Sequence, residues 1–363
     1  MILNAVDETE ALEVLHREGC TDGLPVIVPT PERVQRMVLA SGLDGDLVLG
    51  EVGPQLGQAS VEKVAINAVM AGCLPDHFPV VVAAVRAACD PVFDLTEVQS
   101  TTHGVAPLLL VNGPARDACG PIARAWGALG PGHRANASIG RALRLVLINI
   151  GGGRPGVSDM ALLGHAGKFT SCLAEDEEAS PFPPLHVALG FRPEQSVVTV
   201  AGVEAPHSVI GLLGESGPAA AARLVGLLGA AVANVGANNA HGPGGASVVV
   251  VLNPDHAEVL ADAGYDRAAI QQGIASHACN RRDRLRALSA LVPDGDGADL
   301  LPAVAGPECV LVLVAGGAGL YSVVFPSWGG GPHGNQPVSA EIELDQACEV
   351  PTPAPAAGPG ASR

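Results

Sequence analysis

A chain of 363 residues with 48% apolar content can fill two packed cores, so disorder along its whole length is excluded. The formal net charge of −17 argues against nucleic acid as a partner, because a phosphate backbone is captured by a basic surface that releases counterions. Only 16% of residues are charged and 3% aromatic, against 46 glycines and 30 prolines, which suits α/β layers packed from Ala, Val and Leu and joined by tight turns.

The N-terminus MILNAVDETEALEVL is acidic where a secretory signal is basic. No stretch approaches the ~20 unbroken apolar residues of a membrane span. The expectation is a cytoplasmic protein with no membrane partner. A helix begins at about Glu8, capped by Asp7, and the run Leu24-Pro25-Val26-Ile27-Val28 is extended. A second helix follows Thr30-Pro31, where Thr suits the N-cap and Pro the first helical position. Residues 1–46 therefore read as an N-terminal helical arm. From Ser60, VEKVAINAVMAG has helical apolar spacing, and after Pro75 the helix HFPVVVAAVRAACD is apolar on nearly every side. Then come Thr101-Thr102-His103-Gly104, a strand at PLLLVNGP and a short helix ending near Cys119-Gly120.

That order recurs. An apolar helix from Ala219 to about Asn234 leads to Ala240-His241-Gly242, a strand at SVVVVLNP and a helix ending at Ala263-Gly264. Each copy is followed by a helical region and an apolar segment ending in glycines, LVLINIGGG at 145–153 and VLVLVAGG at 310–317. The reading is an α/β fold of two related units, an internal duplication around a central cleft. The first unit is 47–190, with the Cys172 segment, and the second is 191–345. Residues 346–363, rich in Pro, Ala and Gly, form a disordered tail. The basic run Arg281 to Arg286 falls in a helical pattern and reads as a solvated face.

Between the copies lies GKFTSCLAEDEE, which gathers Lys168, Thr170, Ser171, Cys172 and the carboxylates Glu175, Asp176, Glu177 and Glu178. A thiol is a strong nucleophile only as thiolate, a form that Lys168 or a nearby histidine favours. If the segment is helical from Ser171, Cys172 and Glu175 share a face. The bland alternative is a surface turn whose acidic residues cap the next element. The eight cysteines, at 20, 73, 89, 119, 172, 279, 309 and 348, include no CxxC pair, so most are expected to be buried apolar side chains.

His103 and His241 each precede Gly just before a strand, where a loop can aim an imidazole into a cleft for proton transfer or metal binding. Taken alone, either is more often a hydrogen-bonded loop histidine. His207, in Gly202-Val203-Glu204-Ala205-Pro206-His207, and His186 are further candidates. Gly130-Pro131-Gly132-His133-Arg134-Ala135-Asn136 feeds a helix N-terminus that suits an anion, with Arg134 as a fork; the alternative pairs Arg134 with a carboxylate. Thr102, Asn136 and Asn239 complete the candidate substrate contacts. Asn112 and Asn253 read as turn residues because Pro follows closely. No nucleotide-binding glycine spacing and no Gly-x-Ser-x-Gly elbow occurs.

The phrases ASVEKVAINAVMAGCLP, TTHGVAPLLLVNGP, GPGHRANASIGRALRLVLINIGG, GKFTSCLAEDEEASPF and VVLNPDHAEVLADAG together resemble an uncharacterised bacterial family of about this length. Its members are encoded beside small redox proteins with a (seleno)Cys-Gly-Ser-Cys motif. The resemblance carries over no catalytic residue. It implies thiol or sulfur chemistry, with a small redox protein as partner.

The expected function is an enzyme acting on a small anionic metabolite, lyase- or transferase-like at a C–S or C–X bond. Cys172, His103, His241, Glu175 and Lys168 would carry the chemistry, and Arg134, Asn136, Thr102 and Asn239 would hold the substrate, in a chain that can also form a homo-oligomer. One alternative is a hydrolase or lyase that uses a divalent transition metal on His103, His241, His207 and Glu175. Another is a non-catalytic subunit that positions a redox partner.

Overall fold

The computed structural model describes residues 5–241, 247–289, 291–292 and 299–344, so the expected tail at 346–363 lies outside the described residues. The arm forms as its caps dictate. Helix α1 (Glu8–Arg17) starts where the Asp7 carboxylate accepts the Glu10 N–H, and α2 (Pro31–Ala40) where the Thr30 hydroxyl accepts the Arg33 N–H. A hairpin of β1 (Val48–Val52) and β2 (Gly57–Ser60) feeds α3 (Val61–Ala71), which ends at Gly72 in the left-handed conformation (φ 93°). Helices α4 (Phe78–Ala88) and α5 (Leu95–Ser100) follow.

The remainder alternates strands and helices. In chain order these are β3 (Ala106–Asn112), α6 (Ala115–Ala118), α7 (Arg134–Asn149), β4 (Cys172–Ala174), α8 (Leu185–Ala188), β5 (Val197–Val203) and β6 (His207–Ile210). Next come α9 (Pro218–Val232), β7 (Val248–Leu252), α10 (Pro254–Asp262), α11 (Arg267–His277), β8 (Cys279–Arg281) and α12 (Arg282–Leu288). The last strands are β9 (Leu300–Pro302), β10 (Val310–Val314), β11 (Tyr321–Phe325) and β12 (Val338–Glu341). Strands β8 and β9 form a small antiparallel pair.

Two four-stranded sheets carry the fold, in the orders β4-β3-β5-β12 and β10-β7-β11-β6. In each, the first pair is parallel and the other two pairs are antiparallel. The outer antiparallel strands are exchanged. After β5, in the first sheet, the chain crosses through Glu204-Ala205-Pro206 and becomes β6 of the second, while after β11, in the second, it crosses back and becomes β12 of the first. The crossings touch: Val203 and Ser327 form an antiparallel bridge, and the Glu204 N–H donates to Pro326 O at 3.0 Å. Both β5 and β12 come from the 191–345 stretch, so the first sheet draws on residues either side of 190.

Strand periodicity sets four layers, helices, sheet, sheet, helices. Leu109, Val111, Cys172, Ala174, Val198 and Val200 face α3, α4 and α7. The alternate residues Leu108, Leu110, Leu173, Ala201 and Val203 meet Val249, Val251, Leu311, Leu313 and Phe325 of the second sheet. The other face of that sheet, including Val248, Val250, Val310 and Val312, packs on α9, α10 and α11. With both faces covered, β3, β5, β7 and β10 are buried at every position and read as near-continuous apolar runs rather than alternations. The mixed α/β class expected from composition is what forms.

Two local expectations are corrected. Residues 171–176 are not helical: Cys172–Ala174 is a strand paired in parallel with β3, because its apolar run completes a sheet. The segments 145–153 and 310–317 are not equivalent, since the first ends helix α7 and the second contains β10. In the sheet orders, the strand that stands where β10 stands is β4.

Candidate functional site

Parallel pairing with β3 splits the GKFTSCLAEDEE segment between two ends of one sheet. Lys168 lies before β4, beside the start of β3, whereas Glu175 follows β4, beside Asn112 at the end of β3. Six residue steps along β3, at about 3.3 Å each, separate these ends by roughly 20 Å. The chemistry expected at one place is therefore divided.

At the far end, Glu175 and Asn112 continue the inter-sheet faces of β4 and β3. Glu175 is fully buried; its carboxylate accepts from Asn112 Nδ2 at 2.6 Å and from the Leu185 N–H at 2.7 Å, and it lies 3.4 Å from Arg267 Nη2. Burial raises the Glu175 pKa while Arg267 opposes the rise. Asn112 also donates to Glu177, and Arg116 pairs with Glu177 at 3.1 Å and Glu178 at 2.8 Å. Asn112 is therefore a member of this network, where its sequence position before Gly-Pro suggested turn chemistry. Asn253 does serve as the N-cap of α10. His186 is buried there too, 3.9 Å from Glu177. Because Arg267 belongs to α11 and the Asp176 N–H donates to Val314 O at 2.7 Å, this network ties the two sheet–helix layers together.

Cys172 faces the helix layer from the middle of the sheet and is 3% exposed. Burial pushes its thiol up to about 12, the direction opposite to the one a nucleophile needs. Lys168 gives it no help, because Lys168 Nζ pairs with Asp159 at 2.9 Å. Three expected substrate contacts are spent on the fold. Arg134 donates to Gly72 O at 3.2 and 3.1 Å, closing the end of α3. Asn136, buried, exchanges bonds with the Ala123 backbone and donates to Ala128 O and Cys172 O. Asn239 donates to Val232 O and Ala303 O. Thr102 accepts the Leu162 N–H through its carbonyl at 2.9 Å.

The strand crossing gathers what remains. Thr101 Oγ1 accepts the His103 N–H at 3.2 Å, turning the loop so that His103 Nε2 stands 3.1 Å from Glu204 Oε1. The two side chains are 25% and 21% exposed, so this contact opens to solvent. The same Glu204 oxygen accepts the Asn238 N–H at 3.0 Å, and Asn238 Nδ2 donates to Trp328 O at 2.7 Å. Asn238 begins the 3₁₀ turn Asn238–His241, so His241 lies one short turn away, about 6 Å along its axis. One carboxylate thus joins the His103 loop to the 3₁₀ turn that ends at His241.

His165 is a third histidine here. The Leu162–Thr102 bond and the close approach of Gly164 to Gly104 hold its loop against the His103 loop. Burial and then Lys168 lower its pKa, while the Val203 carbonyl and Glu204 oppose. Among the described residues, four buried polar atoms around the crossing have no hydrogen-bond partner: His103 Nδ1, His165 Nε2, His241 Nδ1 and Ser327 Oγ. Each such group costs about 1–3 kcal/mol while it stays unpaired, which is tolerated where a bound molecule completes the set.

The metal set fails on geometry. His207 sits at the exposed start of β6, Glu175 is at the far end of the sheet, and no group of three or more His, Cys, Asp or Glu able to hold a metal exists among the described residues. In the sequence Glu204 stands out only as a neighbour of His207, and His165 and Ser327 fall in no recognised motif. The available signals were a carboxylate at the end of an apolar strand and the phrase His-Ala-Gly-Lys, which offers a backbone N–H to the imidazole. No helix among the described residues is long and apolar enough to cross a membrane. Compared with known proteins, the chain matches no family model, no curated protein and no solved structure.

Proposed function

We propose that the chain is an enzyme whose site is the strand crossing, with His103 as general base and Glu204 as the carboxylate that orients it. The contact that carries this reading is Glu204 Oε1 lying 3.1 Å from His103 Nε2 while it also accepts the Asn238 N–H. A histidine held by a carboxylate takes a proton near neutral pH, and the carboxylate stabilises the imidazolium that forms. The substrate class is a small anionic metabolite and the reaction lyase-like. His103 removes a proton from the carbon next to a carboxylate, the C–H electron pair forms a C=C bond, and the C–S or C–X bond breaks as its heteroatom leaves with that bond's electrons. His241 stands ready to protonate the leaving heteroatom. Cys172 has no part in this scheme.

The two sheets would descend from a duplicated unit, with the site where their strands cross. Their matching strand orders and senses, and the two His-Gly loops before β3 and β7, support this.

A second reading, a non-catalytic subunit that positions a partner protein, is favoured by one surface. Val157, Leu162 and Leu163, at 76%, 86% and 97% exposure, project from the segment that also carries His165, and exposed apolar groups of this kind mark interaction surfaces.

The test is a panel of small carboxylates bearing β-thioether or β-hydroxyl groups, incubated in deuterium oxide and followed by NMR for deuterium at the α-carbon and for loss of the β-group. The enzyme reading requires turnover by the wild-type chain and its loss in His103→Asn. Turnover that survives His103→Asn rejects His103 as base. No turnover by the chain alone, but turnover with a partner that ignores His103→Asn, would leave the second reading standing.

A further inference from the structure

The hydrogen bonds around His103 and His165 fix opposite tautomers. A carboxylate only accepts, so the His103 nitrogen 3.1 Å from Glu204 carries a proton, and in the neutral ring that acts as base Nδ1 holds the lone pair. In His165 the order is reversed. Its Nδ1 accepts the Gly167 N–H at 3.1 Å, so the ring proton is on Nε2. Both remaining atoms, His103 Nδ1 and the His165 Nε2–H, are buried and without a hydrogen-bond partner of good geometry among the described residues, the Val203 carbonyl being the acceptor whose effect reaches the His165 ring. One is a base and the other a donor, and they belong to loops that touch through Leu162 and Thr102.

Resting on the reading of His103 as base, we propose that His165 is a second catalytic residue: its Nε2–H holds the carboxylate or carbonyl oxygen of the substrate on which charge develops as His103 Nδ1 takes the neighbouring proton. The proton passes from the α-carbon to His103 Nδ1. The C–H electron pair moves toward the adjacent carbonyl carbon and its oxygen gains negative charge, which the His165 N–H stabilises. The substrate is thereby narrowed to a small carboxylate with a hydrogen on its α-carbon. Ser327, across the antiparallel bridge from Val203, supplies a hydroxyl without a partner among the described residues beside the same crossing.

Two features keep His165 a neutral donor. Its ring lies so close over Gly167 that a Cβ there would sit 2.7 Å from its Cε1, so glycine is what lets the imidazole fold onto the loop N–H. Burial, then Lys168, disfavours the imidazolium and outweighs the opposing Val203 carbonyl and Glu204. A neutral imidazole donates without surrendering its proton, which suits an electrophile rather than a proton shuttle.

The test uses the full chain labelled with ¹⁵N at its imidazoles, and oxalate as a planar dianionic mimic of a carboxylate-stabilised enolate. Long-range ¹H–¹⁵N spectra at pH 7 are expected to give His165 as the Nε2–H tautomer and to shift its Nε2 signal when oxalate binds. His165→Ala is expected to weaken oxalate roughly tenfold, the weight of one hydrogen bond to a charged acceptor, and His165→Gln to recover part of the loss. A charged or Nδ1–H His165, no oxalate binding to the wild type, or unchanged affinity in His165→Ala each overturns the proposal. The two readings fail separately. Oxalate held by His165 alongside α-carbon exchange that ignores His103→Asn removes only the base, whereas exchange that needs His103 with affinity indifferent to His165 removes only the donor.

Discussion

Glu204 Oε1 stands 3.1 Å from His103 Nε2, and because that oxygen also accepts the Asn238 N–H, the geometry of one His-Gly loop is fixed relative to the other. Both side chains remain partly exposed, so solvent screens their attraction and the contact contributes little to stability. Its value is orientation.

That division predicts how Glu204→Gln behaves. The amide keeps the shape and an acceptor for Asn238 but loses the charge that stabilises an imidazolium. Exchange at the α-carbon should fall about 10²-fold or more, while thermal unfolding moves by no more than about 1 kcal/mol. A variant that loses stability and activity together would mean that the pair is a structural tie.

Cys172 should be chemically silent. With its thiol pushed up to about 12 and its side chain against the helix layer, iodoacetamide at pH 8 should leave it unmodified in the folded chain and label it in urea. Mass spectrometry of the peptide containing Cys172 reads this directly. Rapid native labelling, or a Cys172→Ser variant that folds normally and loses turnover, would return the thiol to the mechanism.

Glu175 and Arg267 should behave as a buried pair. Glu175→Gln leaves the Arg267 cation buried among groups that no longer balance it, at a cost of about 3–5 kcal/mol. The double variant Glu175→Gln with Arg267→Met should recover much of that, which urea melts of the three proteins measure. Simple additivity of the two single losses would argue against their coupling.

His77 sets an acid limit on the fold. Its ring is fully buried with Nδ1 accepting the Leu74 N–H, and burial, followed by Arg134, lowers its pKa to about 4 from an ordinary value of 6.5. Between those values the unfolded chain binds the proton and the folded chain does not, so this contribution is complete above pH 6.5 and is lost as pH falls towards 4. His77→Asn, which keeps an acceptor for Leu74 but does not titrate, should flatten the fall in stability over that window. An unchanged slope would assign the acid sensitivity to other groups.

Gly167→Ala isolates the His165 ring. The backbone there is not left-handed, so alanine fits the chain, but its Cβ would meet His165 Cε1 at 2.7 Å and push the ring away. Oxalate affinity should drop by an amount similar to that in His165→Ala, with circular dichroism unchanged. Full affinity in Gly167→Ala would separate the ring position from binding.

Local chemistry made much of the chain legible from its residues. Asp7, Thr30 and Ser60 cap α1, α2 and α3 because each offers a side-chain oxygen to a free N–H two or three residues on, and no distant residue is needed for that. The runs PLLLVNGP and SVVVVLNP are strands for a similar reason, being short, β-branched or aliphatic, and bounded by turn residues. The His-Gly loops before them were visible as a repeated phrase. Tertiary structure decided the rest. The CLA run at 172–174 is too short to declare itself, and it is a strand only because β3 offers it an edge. Once it pairs, Lys168 and Glu175 are carried to opposite ends of the sheet and Cys172 is turned into the helix layer. Glu204 meets His103, and Val203 bridges Ser327, because the two sheets exchange their outer strands, a relationship between residues far apart in the chain that no local pattern encodes. The two His-Gly phrases are a property of the sequence; that one carboxylate links the His103 loop to the turn ending at His241, and that the acidic segment does not join them, is a property of the packing.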